Sequence, residues 1–124
     1  MIEIKNIKSL HIIKSYCLQN NLQYDDSIKM NALMGNDKIL EYIFYNKTSE
    51  YGEIILISNM SNNLDYQLSL IKAFMFSMDL KGVKIIYIPQ SYCRLAAKLG
   101  FELEDNKYKL KLEDYNFCNC KNKN

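Results

Sequence analysis

The sequence predicts a single α/β domain with a mixed central sheet and helices on both faces. Three observations predict it. Two apolar strand-like runs, "EIILIS" (53–58) and "VKIIYI" (83–88), flank a stretch of helical periodicity, and a helix between two buried strands implies parallel pairing through a crossover. Segments near both ends, "IEIKNI" (2–7) and "YKLKLE" (108–113), alternate apolar and polar residues, as strands with one wet face do. The chain has 124 residues, 48% of them apolar. That length suits one domain burying roughly two-thirds of its unfolded surface, without help from disulfides. The domain is expected to span 1–115, with "NFCNCKNKN" (116–124) as a polar tail.

The elements follow in order. Ile2 to Ile7 is a first strand. Ser9 can cap a helix whose apolar stripe is Leu10, Ile13 and Cys17, with Ile12 and Tyr16. "QYDDSIKMN" (23–31) is expected to hold a short second helix capped by Asp25 or Asp26. "ALMGNDKILEYIFYN" (32–46) reads as a hairpin turning near "GND". After a second turn at "KTSEYG" comes the strand 53–58, covered on both faces. Leu64, Leu68, Ile71, Met75 and Met78 keep helical spacing up to Leu80, and Gly82 stops that helix. The strand 83–88 ends at Pro89. "QSYCRLAAKLG" is a short helix stopped by Gly100, and "FELEDNKYKLKLEDY" closes the domain as a hairpin.

Composition excludes several function classes. Net charge is +2, with acids and bases interspersed, which argues against a nucleic-acid binder. The amino-terminal "MIEIKNIKSL" lacks the apolar core of a secretory signal, and no run is long enough to span a bilayer. A soluble, cytoplasmic protein is expected, with Cys17, Cys93, Cys118 and Cys120 reduced. Cys118-x-Cys120 has too few partners and the wrong spacing for a zinc site, so no metal is assigned. Cys17 and Cys93 read as inert core thiols. His11 reads as a helix-surface residue, and no signature pairs it with either cysteine.

The order of elements, the stretch "LIKAFMFSMDLKGVKIIYI" and the ending "RLAAKLGF" (Arg94, Leu95, Lys98, Leu99, Gly100, Phe101) followed by a hairpin resemble the GNAT acetyltransferase superfamily. The resemblance implies a GNAT-like mixed sheet. It also implies acetyl-CoA lodged in a splay between the central parallel strands, with its pyrophosphate at the amino terminus of the long helix. Backbone N–H groups and the helix dipole favour an anion there. The residues implied for the cofactor are Ser58, Asn59, Asn62, Asn63 and Leu64.

The sequence departs from the family pattern at two places. Members carry a Q/R-x-x-G-x-G/A loop. Here Asn62 falls at the first position, and Asp65 and Gln67 stand where the glycines belong. A side chain obstructs the approach of phosphate to backbone, and the Asp65 carboxylate opposes a dianion. Members also often place a tyrosine four residues before the helix-ending glycine, to protonate the leaving thiolate. Here that residue is Ala96, while Pro89 and Tyr92 replace the family's asparagine and alanine. Tyr92 is a candidate replacement acid, or else a residue that packs at the helix start. Glu53 and Glu41 are positional candidates for the base that deprotonates an amine, or else strand-end charges.

Two functions remain open at this point. One is a divergent, degenerate domain with weakened or lost acetyl-CoA-dependent N-acetyltransferase activity, retained as a binding module for a protein, a small ligand or a second copy of itself. The other is an active N-acyltransferase that transfers an acetyl group from acetyl-CoA to an amine. Tyr42, Tyr45, Tyr51 and Tyr66 cluster in sequence around the hairpin and the loop, as interface tyrosines do.

Overall fold

The computed structural model describes residues 2–115. The expected tail, with Cys118 and Cys120, lies outside the described residues. Strand β1 (Ile2–Ile7) leads to helix α1 (Leu10–Gln19), then come β2 (Lys29–Gly35), β3 (Lys38–Lys47) and β4 (Tyr51–Ile57). The long helix α2 (Leu64–Leu80), β5 (Ile85–Pro89), α3 (Cys93–Leu99), β6 (Glu102–Glu104) and β7 (Lys107–Lys111) complete the order.

The seven strands form one sheet in the order β1-β2-β3-β4-β5-β7-β6. All neighbours pair antiparallel except β4 and β5, which pair parallel across α2 as the strand–helix–strand order requires. Asn36 and Asp37 both take positive φ at the β2–β3 turn. Asparagine and aspartate tolerate that conformation, and two such residues match the twist of a tight hairpin.

The sheet separates two cores. On one face α1 sets Ile13 and Cys17 against Met30, Ala32, Tyr42 and Phe44. On the other, Leu70, Ile71, Phe74, Met75 and Met78 of α2 and Leu95, Ala96 and Leu99 of α3 cover Leu33, Ile43, Tyr45, Ile54 and Ile86. Residues 41–45 of β3 are buried on both faces, which accounts for their almost unbroken apolar run. In α3, Gly100 sits at φ 87°, and the Phe101 N–H returns to the Ala96 carbonyl at 3.0 Å. This left-handed stop is the one a glycine supplies.

Two expectations are corrected. No helix forms in 23–31. Asp25 instead accepts hydrogen bonds from the Ser27 backbone N–H (2.8 Å) and hydroxyl (2.5 Å), closing a local turn that delivers the chain directly into β2. Aspartate bonds its own loop as readily as it caps a helix, and sequence alone does not separate the two. Cys93 is not a core thiol, because it opens α3 on the exposed side. Cys17 is buried, and burial pushes its thiol pKa up.

Candidate functional site

The parallel seam between β4 and β5 is short. It runs through three rows, Tyr51 with Ile85, Gly52 with Ile86 and Glu53 with Tyr87. Past Glu53 and Tyr87, β4 continues to Ile57 and β5 to Pro89 without pairing to each other, while β5 keeps its pairing with β7 along its whole length, and a register shift against β3 falls in the same stretch of β4. A bulge of this kind bends its strand. The two central strands therefore splay, and the splay opens toward the loop that enters α2.

Tyr92 spans the splay. It closes a 3₁₀ turn (Gln90–Tyr92) just before α3. Its hydroxyl accepts from the Ile57 N–H at 2.9 Å and donates to the Ile57 carbonyl at 3.2 Å. One phenol thus does for Ile57 what a neighbouring strand would do.

The loop 58–63 is organised around Glu41. This side chain is fully buried, and among the described residues it has no cationic partner. One carboxylate oxygen receives the Ser58 hydroxyl and the Met60 N–H (3.2 Å). The other receives the Ser61 hydroxyl and the Ser61 N–H (3.3 Å). Four donors make burial of an unpaired carboxylate tolerable.

The rest of the loop is similarly engaged. The Ser58 N–H donates to the Tyr42 carbonyl, and the Ser58 hydroxyl accepts from the Tyr42 N–H at 3.0 Å. The Asn63 N–H donates to the Ser61 hydroxyl. Asn63 caps α2 by accepting the Tyr66 N–H at 3.1 Å. The Gln67 amide lies back across the loop on the Ser58 carbonyl (2.8 Å) and the Asn59 side chain (3.5 Å). Asn62 is exposed at φ 51°, and Leu64 packs against the core as the first residue of α2. Asp65 stands in the first turn of α2, where a carboxylate complements the helix dipole with nothing bound.

Ser58, Asn59, Asn62, Asn63 and Leu64 thus share one loop, and Tyr92 touches the residue that precedes it. Glu53 lies apart from both. Its carboxylate accepts the Lys107 ammonium at 2.5 Å, and Lys107 also stands over the Tyr87 ring at 5.5 Å. That hydrogen bond to Glu53 raises the Lys107 pKa. Glu41, expected from sequence to be a base or an exposed strand-end charge, is instead fully buried within β3 and anchors the loop. The signal for this is one carboxylate inside the apolar run "ILEYIFY", and its partner Ser61 carries none. Among the described residues no group of His, Cys, Asp and Glu is arranged to hold a metal, and no helix is long and apolar enough to cross a membrane.

No family model and no curated protein sequence matches the chain. Solved structures do match. A GNAT-family acetyltransferase from Elizabethkingia anophelis with acetyl-CoA bound is 15% identical, with a TM-score of 0.66 over 89% of this chain and 97% of that one. A GNAT-family acetyltransferase from Staphylococcus aureus is 12% identical, with a TM-score of 0.63 over 90% and 99%. The ribosomal-protein-S18-alanine N-acetyltransferase of Escherichia coli is 12% identical, with a TM-score of 0.69 over 94% and 100%. The likeness spans the whole of those chains and lies in backbone architecture, not in sequence: this protein has the GNAT acetyltransferase fold.

Proposed function

We propose that this chain is a divergent GNAT-fold binding module with weakened or lost acetyl-CoA-dependent N-acetyltransferase activity. One observation carries the reading. The Met60 and Ser61 amides, just before the positions where the family motif would hold a pyrophosphate, are turned onto the Glu41 carboxylate together with the Ser58 and Ser61 hydroxyls, so a carboxylate of the protein's own organises this loop. A pyrophosphate that recruited these amides would have to take them from Glu41, leave that carboxylate buried without its donors, and tolerate Asp65 in the first helical turn. Each of these opposes binding. The hydroxyl of Tyr92 on Ile57 adds to the reading, because it fills the hydrogen-bonding edge that the splay would offer to a ligand.

Acetyl-CoA remains the natural probe, since a fold neighbour holds it. Titration of acetyl-CoA into the reduced protein, followed by calorimetry, is expected to give no saturable heat up to about 1 mM. Micromolar binding would overturn the proposal and favour the alternative, an active N-acyltransferase. Tyr92 supports that alternative by its place at the splay, where it would serve as the leaving-group acid once released from Ile57. Glu53, bound to Lys107, would have to give up that ammonium before acting as a base.

A further inference from the structure

Helix α2 packs over β2 and β3 and over Ile54 and Ile86 of the central strands, but leaves β1 at the edge of this sheet face open. A groove of about 590 Å³ lies between that face and the flank of the helix. The strand registers make its composition regular. Asn6 pairs with Asn31, and Lys29 pairs with Tyr45, so Asn6, Lys29, Asn31 and Tyr45 stand on one face. The antiparallel order then brings four chain ends to the same rim. Lys8 lies just past β1, Lys29 opens β2, Lys47 closes β3 and Lys81 caps α2, and all four line the groove. None of these lysines makes a salt bridge among the described residues, and no acidic residue lines the groove.

The floor is polar and ordered. The Asn6 side-chain amide donates to the Asn31 side chain at 2.9 Å and to the Tyr45 hydroxyl at 3.1 Å. Tyr45 is buried, and burial pushes its pKa up despite the Asn6 bond. Its phenol therefore stays protonated at neutral pH, with its own O–H to give. Ser77 of α2 adds a second hydroxyl, and Ile4 and Ala73 add apolar wall. The carboxyl end of a helix repels anions; here Lys81 sits on that end and offsets it. Clustered ammonium groups with no carboxylate among them repel one another, and a multiply charged anion relieves that repulsion.

We infer that this groove binds a small polyanion, a phosphate ester or a polycarboxylate, through the four lysines, with the Tyr45 and Ser77 hydroxyls orienting its uncharged part. The site lies at the opposite end of α2 from the Glu41 loop. It gives a ligand class to a binding module but does not depend on the state of the splay.

The experiment uses ¹⁵N-labelled protein titrated with inorganic tripolyphosphate and, separately, with citrate, read by amide correlation spectra. The side-chain amides of Asn6 and Asn31 are expected to shift saturably, with Kd below about 1 mM at low salt, and weakly in 0.5 M salt, where the Debye length falls to a few ångströms. The Lys29→Ala/Lys47→Ala variant is expected to lose affinity roughly tenfold at an unchanged melting temperature. Tighter binding by tripolyphosphate assigns a phosphate ligand, and tighter binding by citrate a polycarboxylate. Equal affinity in wild type and double variant overturns the inference, as does preferential binding of a duplex oligonucleotide. Shifts confined to residues 60–66 overturn both this site and the reading of the splay. A spectrum that does not move at all overturns this site alone.

Discussion

The Tyr92 hydroxyl holds both backbone groups of Ile57, taking the N–H at 2.9 Å and giving its proton to the carbonyl at 3.2 Å. Tyr92→Phe leaves two partly buried backbone groups unpaired. It is expected to destabilise the fold by about 1–2 kcal/mol, read as a lower urea midpoint at constant m-value. A change below about 0.3 kcal/mol would show that solvent satisfies Ile57 equally well.

Glu41→Gln puts an amide where one carboxylate oxygen stood, so a donor faces the donors of Ser58 or Ser61. A loss of about 2–4 kcal/mol is expected. The more specific readout is hydrogen exchange. The Met60 and Ser61 amides should exchange faster by at least roughly tenfold, while the Ser58 amide, held by the Tyr42 carbonyl, should move much less. Equal acceleration of all three would indicate general loosening and not release from Glu41.

Gly52 lies in the parallel seam beneath α2. A Cβ there would stand 3.0 Å from Phe74 Cζ and 3.1 Å from Met78 Cγ and Sδ. Gly52→Ala is expected to cost about 1–2 kcal/mol, because both neighbours are fully buried and have little room to yield. Calorimetric unfolding checks it, and an unchanged or higher melting temperature would mean that Met78 repacks freely.

Lys107 titrates above the ordinary lysine value of 10.5, chiefly because Glu53 accepts its hydrogen bond. A raised pKa means that the folded state favours the ammonium. The contribution is therefore complete at neutral pH and disappears as pH climbs through the Lys107 value. In Glu53→Gln the side-chain nitrogen signal of Lys107 should titrate at lower pH than in wild type. The stability gap between the two proteins should persist from pH 6 to 9 and close in more alkaline solution. An unmoved Lys107 titration would show that the pair does not persist in solution.

Much of the fold was legible because it rests on local periodicity. The α2 stripe, the Gly100 stop, the hairpin at Asn36 and Asp37 and the strands β4 and β5 all carry their signals within a few residues, although β4 and β5 alternate buried with half-buried residues and are not covered throughout. The missing glycines at Asp65 and Gln67 were legible for the same reason. What could not be read depends on distant pairs. Glu41 meets Ser58, Met60 and Ser61, and Tyr92 meets Ile57, across spans of seventeen to thirty-five residues. Neither period 2 nor period 3.6 encodes such meetings. The lysines of the groove are ordinary solvated charges in sequence, and only the antiparallel order gathers them. At Asp25 and Cys93 the local signal itself was ambiguous, since one residue type serves two structures.

The brevity of the parallel seam has a mechanical consequence. All strands on one side of it, β5, β7 and β6, belong to the last stretch of the described chain, and all strands on the other side belong to the first. Three rows of backbone bonds, the packing under α2 and the Tyr92 tether join the halves. Sliding of one half against the other is therefore resisted by few backbone bonds, and the last paired row of the joint is Glu53 with Tyr87.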